Sequence, residues 1–216
     1  MSKRPYLIER YHPSDRVNHW FVAITFILVA VSGLALFHPA FFFLSHLLGG
    51  GTWTRILHPF IGIAMFVAFL ALALRFWGDN FITGNDRQWL RQMDDVITNQ
   101  EEKLPPVGRY NAGQKLFFWT MVISILLLLI TGILIWQPYF APYVPIVVLR
   151  VAVLVHALSA FIAIVGLIVH IYAAIWVKGS VGAMTRGTVT EAWARQHHLD
   201  WYRKIKNGEL RGHDHY

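Results

Sequence analysis

The sequence contains no cysteine, which excludes disulfides, cysteine-ligated iron–sulfur clusters and c-type haem attached through a C-x-x-C-H motif. Charge is scarce as well: Asp, Glu, Lys and Arg make up 14% of 216 residues, against 56% hydrophobic and 15% aromatic. That balance leaves too little polar surface to cover the apolar mass in water. With a mean hydropathy of +0.45, it places the chain among integral membrane proteins. No internal repeat, low-complexity tract or second domain is evident, so residues 1–216 read as a single membrane domain.

Long apolar runs are what the chain has instead. A bilayer core of about 30 Å needs about 20 apolar residues of helix, and residues 20–37, 56–76, 116–136 and 147–177 qualify. The expected fold is therefore all-α, an integral membrane four-helix bundle. None of the four runs contains Asp or Glu. The last carries Arg150 and His156 and is longer than a simple crossing at about 1.5 Å per residue, so it should tilt or project beyond the lipid. No Ala-x-Ala cleavage pattern follows the first run and the residues before it are mostly polar, which reads as a retained helix.

Of the 19 Lys and Arg, only Arg55 and Arg150 fall on the side reached after helices one and three. All the others flank the N-terminus, the loop 78–115 or the tail 178–216. By the positive-inside rule both termini are cytoplasmic. The net charge of +7 then reflects topology, and no nucleic-acid partner is implied. In the cytoplasmic loop, DRQWLRQMDDVI (86–97) can form a short interfacial helix.

The chemistry lies in the histidines. Seven of the eleven, namely His12, His38, His46, His197, His198, His213 and His215, sit in polar or loop segments and read as solvated or interfacial. Four remain: His19, His58, His156 and His170. His156 and His170 are 14 residues apart, which is about 40° short of four turns and about 21 Å along the axis. They share a face, one towards each leaflet. His19 opens helix one level with His170, and His58 lies near the outer end of helix two, level with His156.

Ionisable residues inside a membrane are costly and usually functional, and helix bundles hold cofactors between side chains of facing helices. Zinc would want further ligands, and neither Cys nor a carboxylate is available in the spans. Haem iron takes two axial ligands in line, so two bis-histidine b haems stacked across the membrane fit best. Gly62, one turn after His58, and Gly166, one turn before His170, would let a flat ring approach. Arg55 and Arg150 on one side, and Arg16, Arg75 and Lys178 on the other, could pair with propionates or snorkel to headgroups.

With these residues placed, the chain resembles the cytochrome b (gamma) subunit of respiratory membrane-bound formate dehydrogenases. The resemblance runs through RVNHW (16–20), VSGL (31–34), RILHPFIGIAMF (55–66), GRYNAGQK (108–115), TGILIWQPYFAP (131–142) and VHIYAAIWVKG (169–179). It implies two b haems, one ligated by His58 and His156 and the inner one by His19 and His170. It also implies a pocket for menaquinone or ubiquinone beside the inner haem, carried by Asn111, Gly113 and Gln114. Asn and Gln amides can hydrogen-bond a quinone carbonyl; the other reading of NAGQK is a solvated helix cap.

The same resemblance implies an iron–sulfur (beta) subunit, a molybdenum- or tungsten-containing catalytic (alpha) subunit, a trimer of heterotrimers and a bacterial inner membrane. Electrons would pass from the iron–sulfur partner through the outer and inner haems to quinone, which takes up cytoplasmic protons and contributes to proton motive force. Moving each electron inward costs about 2.3 kcal/mol per 100 mV, so the donor must be of low potential. Formate qualifies, and so does hydrogen, which makes the cytochrome b subunit of a nickel-iron hydrogenase the alternative; a non-redox anchor or a transporter is the reading from another class. The tail HHLDWYR departs from the family's usual pattern, which bears on tail contacts and not on the haem or quinone motifs.

Overall fold

A computed structural model describes residues 6–98, 100 and 103–209; His213 and His215 lie outside them. In chain order the elements are β1 (Leu7–Glu9), α1 (Pro13–Phe37), a 3₁₀ stretch (Pro39–Leu48), α2 (Gly51–Arg75), α3 (Gly84–Arg91), α4 (Met93–Ile97) and α5 (Ala112–Ile135). They continue with α6 (Ile146–Trp176), α7 (Ser180–Arg186), β2 (Thr188–Thr190), α8 (Glu191–His197) and α9 (Leu199–Lys206).

Helices α1, α2, α5 and α6 are long and apolar enough to cross a membrane, as the sequence led us to expect. The first, second and third begin several residues before their apolar runs. Hydropathy marks where lipid begins, whereas a helix begins at its cap, and Pro13 is well tolerated in a first turn. With 31 residues, α6 is about 46 Å long, well beyond a core of about 30 Å.

The chain forms two compact units. The first, Val17–Leu72 with Thr120–Val169, contains the bodies of all four long helices. Asn18 Nδ2 donates to Ala68 O at 3.0 Å between α1 and α2, and Phe60 of α2 meets Trp136, just past α5, edge to face with ring centres 5.2 Å apart. Ile24, Val67, Ile123, Leu154 and Phe161 are exposed. A helix apolar on its exposed face as well as its buried one is built for lipid.

The second unit gathers Met1–Arg16, Ala73–Trp119 and His170–Tyr216. Here β1 and β2 pair antiparallel with Ile8 opposite Val189, a small ribbon added to the all-α architecture. Ile8, Ala183, Val189, Ala194, Trp201 and Tyr202 form its core. Arg10, 2% exposed, lies over the rings of Trp201 and Trp193 at 4.7 and 5.1 Å. It donates to Arg109 O at 2.6 Å, and Arg109 returns a bond to Arg10 O at 2.8 Å.

One peripheral histidine departs from expectation. His198 is 2% exposed rather than solvated: Nδ1–H donates to Gly108 O at 2.8 Å and Nε2 accepts from Arg10 at 3.2 Å. Burial, reinforced by the neighbouring Arg10 charge, pushes it well below the ordinary imidazole range and keeps it neutral. A short tail segment that looks polar residue by residue folds back onto an aromatic cluster, which its local pattern does not announce. His46 is exposed, and His38 Nδ1 accepts from Ala40 N–H, both in keeping with a surface role.

The interfacial helix expected over 86–97 is present as α3 and α4, broken at Gln92. Asp86 anchors it. Its Oδ2 accepts from Thr83 N–H and Oγ–H, both at 2.7 Å, and from Lys115 Nζ, also at 2.7 Å. This ties the loop to the first turn of α5.

Candidate functional site

Within the four-helix unit, α2 and α6 bring His58 and His156 together. Their ring centres are 6.4 Å apart with planes at 64°. A metal–imidazole bond is about 2.0–2.1 Å, so two imidazoles in line on one iron hold their ring centres roughly 6 Å apart. The pair has the separation that a bis-histidine haem requires.

The tautomers suit it too. Ser32 Oγ donates to Val29 O at 2.9 Å and lies 2.7 Å from His58 Nδ1. Thr131 Oγ1 donates to Leu127 O at 2.6 Å and lies 2.9 Å from His156 Nδ1. A hydroxyl has one proton. With that proton committed to a backbone carbonyl, each oxygen accepts from the imidazole, Nδ1 carries the hydrogen, and the Nε2 lone pair is left for a metal. A Cβ at Gly62, one turn after His58, would meet no atom within 4 Å, so this side of α2 admits a flat ring.

Sequence reasoning did not single out Ser32, Gly33, Thr131 or Gly132 for this site. A Cβ at Gly33 would stand 3.3 Å from His58 Cε1, and one at Gly132 3.3 Å from His156 Cε1. Each ligand helix is thus met by a hydroxyl–glycine pair on the long helix before it, 26 and 25 residues earlier. The signal was available as SG in helix one and TG in helix three, and it is a local internal echo in a chain that otherwise looks unrepeated.

The remaining two histidines belong to different units, His19 to the four-helix unit and His170 to the other, and both are half-buried. The His170 ring stacks on Phe117, with centres 4.5 Å apart and planes at 8°. Phe117 is on α5, one turn after Gly113. It joins the NAGQ segment to His170, and it too was missed by the sequence reading.

Asn111 and Gln114 cap α5 reciprocally: Asn111 Oδ1 accepts from Gln114 N–H at 2.9 Å and Gln114 Oε1 from Asn111 N–H at 3.0 Å, a capping box. The bonds consume amide oxygens, so the orientation of each amide is set, and the NH₂ groups are the donors it can offer a ligand. A Cβ on Gly113 would stand 3.4 Å from both Trp89 and Asn111 Oδ1. Beside this helix start lies a cavity of about 340 Å³ lined by Asp86, Trp89, Lys115, Asp200 and Lys204 among others.

Of the basic residues considered for propionates, Arg16 donates to Thr185 O at 2.6 Å and Arg75 approaches Asp15 at 3.4 Å. Arg55, Arg150 and Lys178 are exposed.

Four lipid-facing helices that present two imidazoles to each other are the build of a membrane b-type cytochrome. The chain belongs to the prokaryotic cytochrome b561 family, whose pattern matches residues 10–187, and haem b is the cofactor that family implies. It is 45% identical over 204 residues to the formate dehydrogenase cytochrome b556(fdo) subunit of Escherichia coli (strain K12), covering 94% of this chain and 96% of that protein. The nitrate-inducible formate dehydrogenase cytochrome b556(Fdn) subunit of the same organism is 44% identical over 211 residues, 98% of this chain and 97% of that protein. A formate dehydrogenase cytochrome b556 subunit of Haemophilus influenzae is 43% identical over 197 residues, 91% and 83% of the two chains.

Proposed function

We propose that this chain is the dihaem membrane subunit of a formate dehydrogenase, with His58 and His156 as axial ligands of one haem b and His19 and His170 of the other. The observation that carries the reading is the His58–His156 pair, 6.4 Å between ring centres with both Nδ1 atoms hydrogen-bonded outward. The second pair is supported by the 14-residue spacing of His156 and His170 on one helix face and by the matching depth of His19. When bound, the haems supply one-electron transfer between an iron–sulfur partner and quinone.

The chain's own residues bind and orient. The Asn111 and Gln114 NH₂ groups donate to a quinone carbonyl, Gly113, packed against Trp89, borders the space for the ring, and Phe117 backs His170 beside it. Menaquinone or ubiquinone would take two electrons and two protons to the quinol, the protons arriving from the cytoplasm past the polar cavity at Asp86 and Lys115. Because electrons move inward and protons are taken from inside, the reaction adds to proton motive force. Near-full-length similarity to formate dehydrogenase subunits favours a molybdenum- or tungsten-containing catalytic subunit and an iron–sulfur subunit as partners, in a trimer of heterotrimers. The chain would sit in the bacterial inner membrane with both termini cytoplasmic, and residues 1–216 would act as one cytochrome domain.

The test is a pyridine haemochrome assay on purified protein, where about two b haems per chain are expected; absence of haem from a folded, cofactor-replete preparation would refute the proposal. The quinone pocket has its own test, Asn111→Asp. Aspartate keeps the helix cap and removes the amide donor, so quinone reduction should fall about tenfold, the loss of one hydrogen bond of about 1–1.5 kcal/mol, with haem content unchanged. An unaltered rate would remove Asn111 from the pocket.

A further inference from the structure

Beyond the ligands themselves, we infer that Ser32 and Thr131 are positioning residues that hold His58 and His156 in the metal-binding tautomer and thereby set the midpoint potential of the haem they share. The inference rests on the ligand assignment above and goes further, assigning a role to side chains on α1 and α5 that touch no iron.

Three observations converge. Each hydroxyl lies within bonding distance of a backbone carbonyl of its own helix, Val29 O and Leu127 O, and with its proton there the oxygen accepts from its imidazole. Both hydroxyls are buried, Ser32 completely, so water does not stand in for them. And each is followed by a glycine whose Cβ would press on the ring carbon Cε1 at 3.3 Å, so the helix backbone can come close enough to make the bond. The arrangement occurs twice, α1 against α2 and α5 against α6, around one pair of rings.

The chemical effect has a direction. An acceptor on Nδ1–H makes the imidazole more basic at Nε2 and fixes its orientation. A more basic ligand favours the oxidised iron, so the hydroxyl bonds lower the potential. Removing one should raise it. Outer partners of metal-bound histidines are worth about 10–100-fold in metal affinity; a tenfold loss falling on the oxidised form alone shifts the potential by about 59 mV for one electron.

The experiment is a redox titration of the purified protein, monitored by haem absorbance, on Ser32→Ala and the pair Thr131→Val and Thr131→Ser, with haem counted separately by pyridine haemochrome. Valine keeps the shape of threonine without the hydroxyl; serine keeps the hydroxyl without the methyl. We expect Ser32→Ala and Thr131→Val to raise the potential of one and the same haem, or to release it, while Thr131→Ser stays close to the parent. An unmoved potential in Ser32→Ala and Thr131→Val with haem intact would overturn the inference alone, as would equal shifts in the serine and valine variants, which would point to packing. Loss of different haems from His58→Ala and His156→Ala would overturn the ligand assignment and this inference with it.

Discussion

Replacing either His58 or His156 with alanine should strip one and the same haem from the protein, taking the count from about two per chain to about one. An axial imidazole has no substitute nearby: the apolar runs contain no Asp, Glu or Cys, and the two ring centres lie 6.4 Å apart. His19→Ala and His170→Ala should remove the other haem and leave the first. Pyridine haemochrome with low-temperature difference spectra would distinguish the two losses. The pairing fails if a His58 and a His19 variant lose the same haem, or if all four variants keep both.

The second large effect is expected away from the iron. The Asp86–Lys115 pair is nearly enclosed, with side chains 7% and 8% exposed and 2.7 Å between Oδ2 and Nζ. Lys115 also donates to Phe81 O at 3.0 Å. Asp86→Ala would leave the ammonium buried without its counter-charge and cut the Thr83 cap. Breaking one partner of such a pair costs about 3–5 kcal/mol. Thermal or denaturant unfolding in detergent measures it, and a double variant, Asp86→Ala with Lys115→Leu, should recover most of the loss, since a matched apolar pair is close to neutral. A single variant as stable as the parent would show that the pair carries little.

The same pair has a pH signature. Burial works against ionising Asp86, but the hydrogen bonds from Lys115 and Thr83 outweigh it and hold the carboxyl below its usual value of 3.8. Its stabilisation is therefore fully present above that value and is lost only as pH falls through the depressed one. Because Lys115 sits in the first turn of α5, unfastening it also loosens the Asn111–Gln114 segment, so quinone reduction should decline with stability in this variant.

The meeting of His58 and His156 was legible without coordinates, for identifiable reasons. His58 and His156 stood out because placing an imidazole in an apolar membrane run is costly and is usually tied to function, and the helical period put His156 and His170 on one face. Asn111, Gly113 and Gln114 were named through resemblance alone, and what the structure shows of them is that Asn111 and Gln114 cap α5. Ser32 and Thr131 were not, because a hydroxyl in a membrane helix usually bonds its own preceding turn, as these two also do. Only the position of the neighbouring helix reveals the second bond. His198 misled for the opposite reason: a polar tail suggests solvent until Arg10 and Trp201 are seen to enclose it.

The four membrane helices and the class of cofactor were legible in the sequence alone, which also nominated the candidate ligands, because lipid and iron each impose a local, periodic demand that single residues betray. The tertiary structure alone decided which hydroxyl and which glycine meet each imidazole, how α5 is fastened to the loop through Asp86, and how an arginine is buried among aromatic rings. Those contacts join residues up to 191 positions apart, Arg10 and Trp201, and their energy depends on geometry that no stretch of sequence contains.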